Sequence, residues 1–283
     1  MKRVKIIFTL LIVMAFVACN DENLNDSAID AQIAAADISS EQSAEATYEE
    51  VDDMVEQSML TIPSFGKVDR DRDASITCAE ISHDEAGKTI ELLFDGTCEG
   101  PEGNIKSGKI IITYNERRYV PGAFRKVTFD DFYVNDIKIE GARTITNVSE
   151  TSEDSPTFTI EMENGKVIFS DGTFISRNAN HTRTWIRAEN PLDDLVTITG
   201  QASGIKRDGT SYTSEITSAI TFKRACRASG TARFPVSGVK EITAGENVLS
   251  IDFGDGSCDN EASFTLNGNT IEKEIQPRGL RRR

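Results

Sequence analysis

The chain has 283 residues, with 31 basic and 46 acidic side chains and a formal net charge of −15. So acidic a surface repels nucleic acid and anionic lipid headgroups, which excludes nucleic acid as a natural partner. Only 7% of the residues are aromatic, yet fourteen Phe with many Ile and Val suffice to fill a β core.

The first eighteen residues differ in character from the rest. Lys2, Arg3 and Lys5 give a positive start, no acidic residue precedes Asp21, and Ile6 to Val17 is apolar apart from Thr9. This is the layout of a secretory signal over residues 1–18. The apolar run is about a dozen residues, short of the roughly 20 that span a bilayer. Phe16-Val17-Ala18-Cys19 resembles a lipobox, with Phe16 where Leu is usual. Cleavage before Cys19 leaves that cysteine to carry acyl chains, palmitate among them, and two or three chains hold a protein stably at a membrane. Losing three cations changes the balance to 31 − 3 = 28 against 46, a net charge of −18. Asn20-Asp21-Glu22-Asn23 resembles the acidic export signal of Bacteroidota surface lipoproteins, so the expected address is the outer membrane or cell surface. Residues 19–40 read as a polar tether. Within it, Asp26-Ser27-Ala28 resembles an O-glycosylation acceptor and marks Ser27.

Residues 41–62 carry helical spacing. Ala44, Tyr48, Val51, Val55 and Met59 recur three and four apart, with Glu and Gln on the other face. Ser39 or Ser40 can cap the start, and Pro63 stops continuation. An amphipathic helix packed on a sheet is expected, with a partner-binding helix as the alternative. Asp69, Asp71 and Asp73 alternate with Arg70 and Arg72 and read as a solvated segment.

Over residues 74–276 the period becomes two. Ile110, Ile112 and Tyr114 share a face, as do Ile216, Ile220 and Phe222, and Leu249, Ile251 and Phe253. Phe158, Ile160 and Met162 lead to Asn164-Gly165 and then Val167 and Phe169, a pattern that predicts a hairpin. Asp171-Gly172, Asp208-Gly209 and Asn267-Gly268 mark further turns. About a dozen strands joined by short turns make an antiparallel meander. The fold class is mainly all-β, as a sandwich or as one long curved sheet carrying the helix. In Val127 to Ile139 the parity of apolar residues changes twice, which predicts a bulge, or a bend between two sheets. Residues 277–283 form a basic tail.

Assigning Cys19 to lipid leaves Cys78, Cys98, Cys226 and Cys258. Four cysteines allow three pairings. A repeat favours one of them: Phe94-Asp95-Gly96-Thr97-Cys98 matches Phe253-Gly254-Asp255-Gly256-Ser257-Cys258, each following an apolar strand and each with one cysteine upstream. Disulfides Cys78–Cys98 and Cys226–Cys258 are expected, suited to an oxidising compartment. The repeat also admits two related β units. Cys-x-x-Cys spacing is lacking, and Asp252, Asp255, Asp259 and Asn260 do not fit a calcium loop, so neither a metal nor a cofactor is expected.

Chemistry is sparse. The two histidines, His83 and His181, lie in polar stretches that read as loops, away from any nucleophile motif or metalloprotease pattern. The chain is therefore read as non-enzymatic. Trp185, with Arg183 and Arg187 alternating beside it, is the candidate ligand-binding group: an exposed Trp stacks on a sugar face and Arg bonds hydroxyls or carboxylates. The competing reading has Trp185 closing the core edge while the arginines snorkel.

Several stretches resemble an uncharacterised family of Bacteroidota envelope lipoproteins. They are Gly108 to Tyr114, Val127 to Asn135, Ile139 to Asn147, and the terminal Phe253-Gly254-Asp255-Gly256-Ser257-Cys258-Asp259-Asn260. The resemblance implies a β-rich envelope lipoprotein and carries over no catalytic residue. The expected partners are the membrane, through acylated Cys19, and an envelope protein or glycan. A lipid or lipoprotein carrier is the third reading, since a one-sided meander can curl into a half-barrel.

Overall fold

The computed structural model describes residues 38–65, 76, 78–99, 103–151, 155–230 and 234–275, with side chains from Ala44 onward and that of Cys98 excepted. Cys19, Ser27, the tether up to residue 37, Asp69 to Asp73 and the basic tail lie outside the described residues; residues 38–40, read as the end of the tether with Ser39 or Ser40 as cap, already belong to the helix.

One helix precedes the strands, α1 (Ile38–Leu60), and a 3-10 turn at Pro63–Phe65 follows it. The strands are β1 (Glu80–Asp84), β2 (Thr89–Glu99), β3 (Ile105–Tyr114), β4 (Phe124–Val134), β5 (Ile137–Asn147), β6 (Thr157–Ile168) and β7 (Phe174–Ile186). They continue as β8 (Leu195–Ile205), β9 (Ser211–Lys223), β10 (Ser237–Ala244), β11 (Asn247–Asp255), β12 (Glu261–Leu266) and β13 (Asn269–Glu274). A short helix α2 (Arg224–Ser229) joins β9 to β10. All thirteen strands pair in sequence order, each antiparallel to the next, in one sheet.

Of the two architectures expected, this is the single curved sheet. Lys106 on β3 and Lys240 on β10 both reach α1, the first at Glu50 and the second at Glu45. Seven ladders at about 4.8 Å each span roughly 34 Å, three times the width of a helix. The sheet must therefore wrap around α1, which lies on its concave face.

The apolar stripe of α1 seats as its spacing predicts. Ala44, Tyr48, Val51, Val55 and Met59 are all buried, and Met54 widens the stripe. They meet Ile90, Leu92, Ile110, Ile112, Val127, Phe132, Ile139, Met162 and Ile175 of β2 to β7 in the main core. A second, smaller core sits on the same face of β10 to β12, around Ile242, Leu249, Ile251 and Leu266. No helix among the described residues is long and apolar enough to cross a membrane.

Wrapping is produced by bulges. Register shifts interrupt most ladders from β2 through β11, and a bulge adds local bend and twist. The parity change in Val127 to Ile139 is one of these, at Asp131 with φ 43°. The run does not bend between two sheets: Asn135, φ 54°, turns a tight hairpin from β4 to β5.

Asn164-Gly165 is also not the hairpin that its dipeptide predicts. It is a bulge inside the continuous strand β6, with Asn164 at φ 53° and its amide bonded to the Asn178 side chain. The reason is packing from above. A Cβ at Gly165 would stand 2.7 Å from Met162 Cε and 2.9 Å from the Tyr48 hydroxyl. The same hydroxyl donates to the Glu140 carbonyl at 2.8 Å, beside the neighbouring bulge at Gly141. Helix and bulges therefore fit one another at Tyr48.

Cys226 and Cys258 form a disulfide across 32 residues, linking α2 to the turn after β11. Cys78 is disulfide-bonded as well. The Asp-Gly-Thr/Ser turn of the repeat recurs at four places. In each, the Asp Oδ1 accepts the amide two residues on: Asp95 from Thr97, Asp171 from Thr173, Asp208 from Thr210 and Asp255 from Ser257. Asp252 and Asp259 likewise accept from Gly254 and Glu261. These carboxylates are engaged by their own turns, and the same bonds lower the Asp95 and Asp255 carboxyls below the usual range.

Candidate functional site

The polar side of α1 carries a second periodic stripe: Glu45, Glu49, Asp52 and Glu56, spaced four, three and four. It faces cations that rise from the concave face. Glu45 takes Lys240 at 2.8 Å and Arg177 at 3.4 Å. Asp52 takes Arg143 Nε at 2.8 Å, and Glu56 takes Arg118 at 2.6 Å and Arg125 at 2.7 Å. Burial alone would raise the Glu45 carboxyl, but Lys240 and Arg177 override it and hold it well below the usual carboxylate range. The Glu56 carboxyl is lowered in the same way by Arg118 and Arg125. Of these, Arg143–Asp52 is the buried pair: it adds little net stability, yet losing one partner costs about 3–5 kcal/mol, while the half-exposed pairs of Glu45 and Glu56 are worth less. They fix where the helix sits and how it is rotated.

Glu49 departs from this pattern. It is exposed to water, although it lies within the concavity. Crowding, then the Glu45 carboxylate, push its carboxyl up to about 7. The nearest cation in β7 is Arg183, half-buried on the concave face. Arg183 has Glu49 and Asp52 in its field, with Arg143 and Arg118 opposing them; burial is the main influence and lowers its pKa. Unlike Arg143 and Arg177, it closes no hydrogen bond or ion pair with any of them.

The sheet beyond Arg183 is apolar. Strand register sets Arg183 beside Ile198 and Ile198 beside Ile220; Trp185 stands beside Val196, and Val196 beside Phe222. All share the concave face, because β-ladder partners point the same way. Val196, Ile198, Ile216 and Phe222 are only half-buried and pack into neither core. Gly200 lies between His181 and Ile216 and leaves the floor there without a side chain. It has to be glycine: at φ 127°, a Cβ would run into the backbone of Asn180 and His181.

Trp185 closes one end of this strip. Its indole N–H donates to Asp194 at 3.0 Å, and the Asp194 carboxylate also accepts the Ala188 amide and reaches Arg224 at 3.3 Å. The Ala188 amide, with Trp185 and Arg224, lowers the Asp194 pKa. Arg187 lies 5.4 Å over the Trp185 ring. Tyr119, 44% exposed, stands 6.5 Å from Trp185 with Arg118 stacked on it at 5.4 Å. The three residues singled out by spacing thus occupy one end of the concave face, with Arg183 deepest and Arg187 at the rim.

Both histidines lie in strands, not loops. His83 in β1 bonds the Tyr114 hydroxyl at 2.7 Å through Nε2. His181 in β7 is buried near Glu45. Their polar flanks are the outward-facing alternate residues of strands, which read as loop when the inward partner is a histidine. Glu45, Glu49, Tyr119, Val196 and Ile198 were not singled out by sequence. The regular acidic spacing on α1 is the one signal that points to part of this set. Comparison of the chain with family models, curated proteins and solved structures found no match.

Proposed function

We propose that the protein is a non-enzymatic lipoprotein of the outer membrane or cell surface, tethered through Cys19, that binds a ligand on the concave face of its sheet. One observation carries the reading. Among the described residues, the helix covers the core of the concave face over β2 to β7 and pairs with cations there, while Val196, Ile198, Ile216 and Phe222 on β8 and β9 stay half-open beside Arg183, which closes no ion pair with Glu49 or Asp52. An apolar face beside a polar group that can orient a ligand has the make-up of a small-molecule binding site. A non-catalytic role is supported by the two histidines, which serve packing and hydrogen bonding.

The test places a photo-crosslinking residue at Ile198 or at its outward neighbour Thr197, in cells that make the anchored protein. The reading expects an adduct from position 198 and none from 197. Equal labelling at both, or none at 198, overturns it. Palmitate labelling that persists in Cys19→Ser overturns the anchor. A second reading, glycan binding at the rim, draws on Tyr119 standing beside Trp185. Glycan binding that survives Trp185→Ala removes it.

A further inference from the structure

We propose that the strip on β8 and β9 binds a single-chain fatty acid, its carboxylate on the Arg183 guanidinium and its chain along Ile198, Val196, Ile216 and Phe222. The inference rests on the concave face being the binding face and goes on to name the ligand class.

The floor of the strip is made by Val196, Ile198, Ile216 and Phe222, whose side chains offer no donor or acceptor to sugar hydroxyls, and an unmatched hydroxyl in such a place costs free energy. A polymer chain of sugars is a poor occupant, and a methylene chain a good one. The strip is narrow. The five residues of β8 from Val196 to Gly200 span four steps, roughly 13 Å, and the two strands together are about 10 Å wide. That accommodates one alkyl chain and not the paired chains of a phospholipid.

Charge selects the head. The protein as a whole is strongly acidic and repels anions. Lys240, Arg177, Arg143 and Arg125 on the concave face, with Arg118 from the loop between β3 and β4, are matched by Glu45, Asp52 and Glu56. Among the described residues Arg183, at the edge of the strip, closes no ion pair, and its fork suits a carboxylate in a bidentate pair. Glu49, Asp52, Arg143 and Arg118 surround it without closing on it. A ligand with one carboxylate and one apolar chain satisfies both parts of the site together.

The experiment uses the full chain carrying Cys19→Ser, in detergent-free buffer, with a dansylated undecanoic acid as fluorescent probe and dodecanoate as competitor. Saturable probe binding, displaced by dodecanoate and not by dodecyltrimethylammonium or glucuronate, is expected. Arg183→Met weakens it about tenfold or more, as loss of a charge-assisted bond does, and Lys126→Met, at an exposed position on the outward face of β4, leaves it unchanged. Ile198→Asp abolishes it. Binding indifferent to Arg183→Met, or displaced equally by the cationic amphiphile, overturns the proposal. A crosslink at position 198 in cells without Arg183-dependent fatty-acid binding would sink this inference while the concave-face reading stands. Absence of both removes the two together.

Discussion

The two halves of the concave face are built alike and finished differently. On β2 to β7, inward side chains such as Ile90, Ile112 and Met162 are sealed by α1. On β8 and β9, Val196, Ile198, Ile216 and Phe222 hold the same inward positions and stay half-exposed. Strand alternation is identical in both, so alternation does not determine closure. The helix does, and its direction across the sheet is set by ion pairs at Glu45, Asp52 and Glu56. The sealed half has the features of stability and the open half those of recognition.

The largest test of that division is a charge placed in each half. Val55→Asp puts a carboxylate against the sealed core, where Val55 is fully buried. It is expected to cost about 4 kcal/mol or more in urea unfolding, because an unpaired buried charge is among the most damaging changes. If Val55→Asp were as mild as Ile198→Asp, the two halves would not differ as described.

Among the described residues α1 does not seal Val196, Ile198 and Phe222, and the Cys226–Cys258 crosslink holds the α2 connection to the turn after β11. Closing a loop of 32 residues is worth about 3–4 kcal/mol through the unfolded chain. The double variant Cys226→Ser/Cys258→Ser is expected to lose about that much in equilibrium unfolding. Hydrogen exchange should quicken in β9 to β11 before β3 to β6. Uniform loss of protection would show that the halves unfold as one.

How much of this was legible in sequence follows the range of the interaction. Tyr48, Val51 and Val55 declare themselves by spacing within one helix. The Cys226–Cys258 pairing is legible from the repeat, although the Asp-Gly-Thr/Ser part of that repeat is general turn chemistry, since Asp171 and Asp208 use it too. Asn164-Gly165 misleads because a residue in the left-handed region followed by glycine suits a bulge as well as a hairpin. What decides is the Tyr48 hydroxyl above it, more than a hundred residues away in sequence. Arg183 stands out beside Trp185, but its lack of a partner depends on where Glu49 and Asp52 fall. Val196 and Ile198 look like any other strand residues until the helix is seen to pass them by.

A pH series sharpens the comparison through the helix carboxylates. Glu45 and Glu56 are lowered in the folded state. Their stabilisation is present above the unfolded carboxylate value and is lost as pH falls through their folded values. Glu49 is raised from 4.5 to about 7, with Glu45 and Asp52 on its own helix and Arg143 and Arg183 from the sheet around it. The fold favours its protonated form, so that stabilisation is full below 4.5 and is lost as pH rises through about 7. Its exposure to water moderates the size. Urea midpoints should therefore rise modestly from pH 8 to 5.5 and then fall steeply below 4.5. Glu49→Gln should flatten the upper limb alone. A Glu49→Gln chain that still gains stability between pH 8 and 5.5 would place the titration elsewhere.

The smallest expected effect on stability is the most telling for the open half. Ile198→Thr keeps a β-branched side chain with high strand propensity, so the ladders to Arg183 and Ile220 are undisturbed. Ile198 is already half in water, and little apolar area is lost from the folded state. Equilibrium unfolding should move by no more than about 1 kcal/mol. The same substitution in the sealed half, Ile112→Thr, places a hydroxyl in a fully buried position and should cost about 2–3 kcal/mol. Fatty-acid probe binding should show the reverse order, weakened by Ile198→Thr and unaffected by Ile112→Thr in the fraction that folds. Stability and binding would then be carried by different strands of one continuous sheet, divided by the path of a single helix.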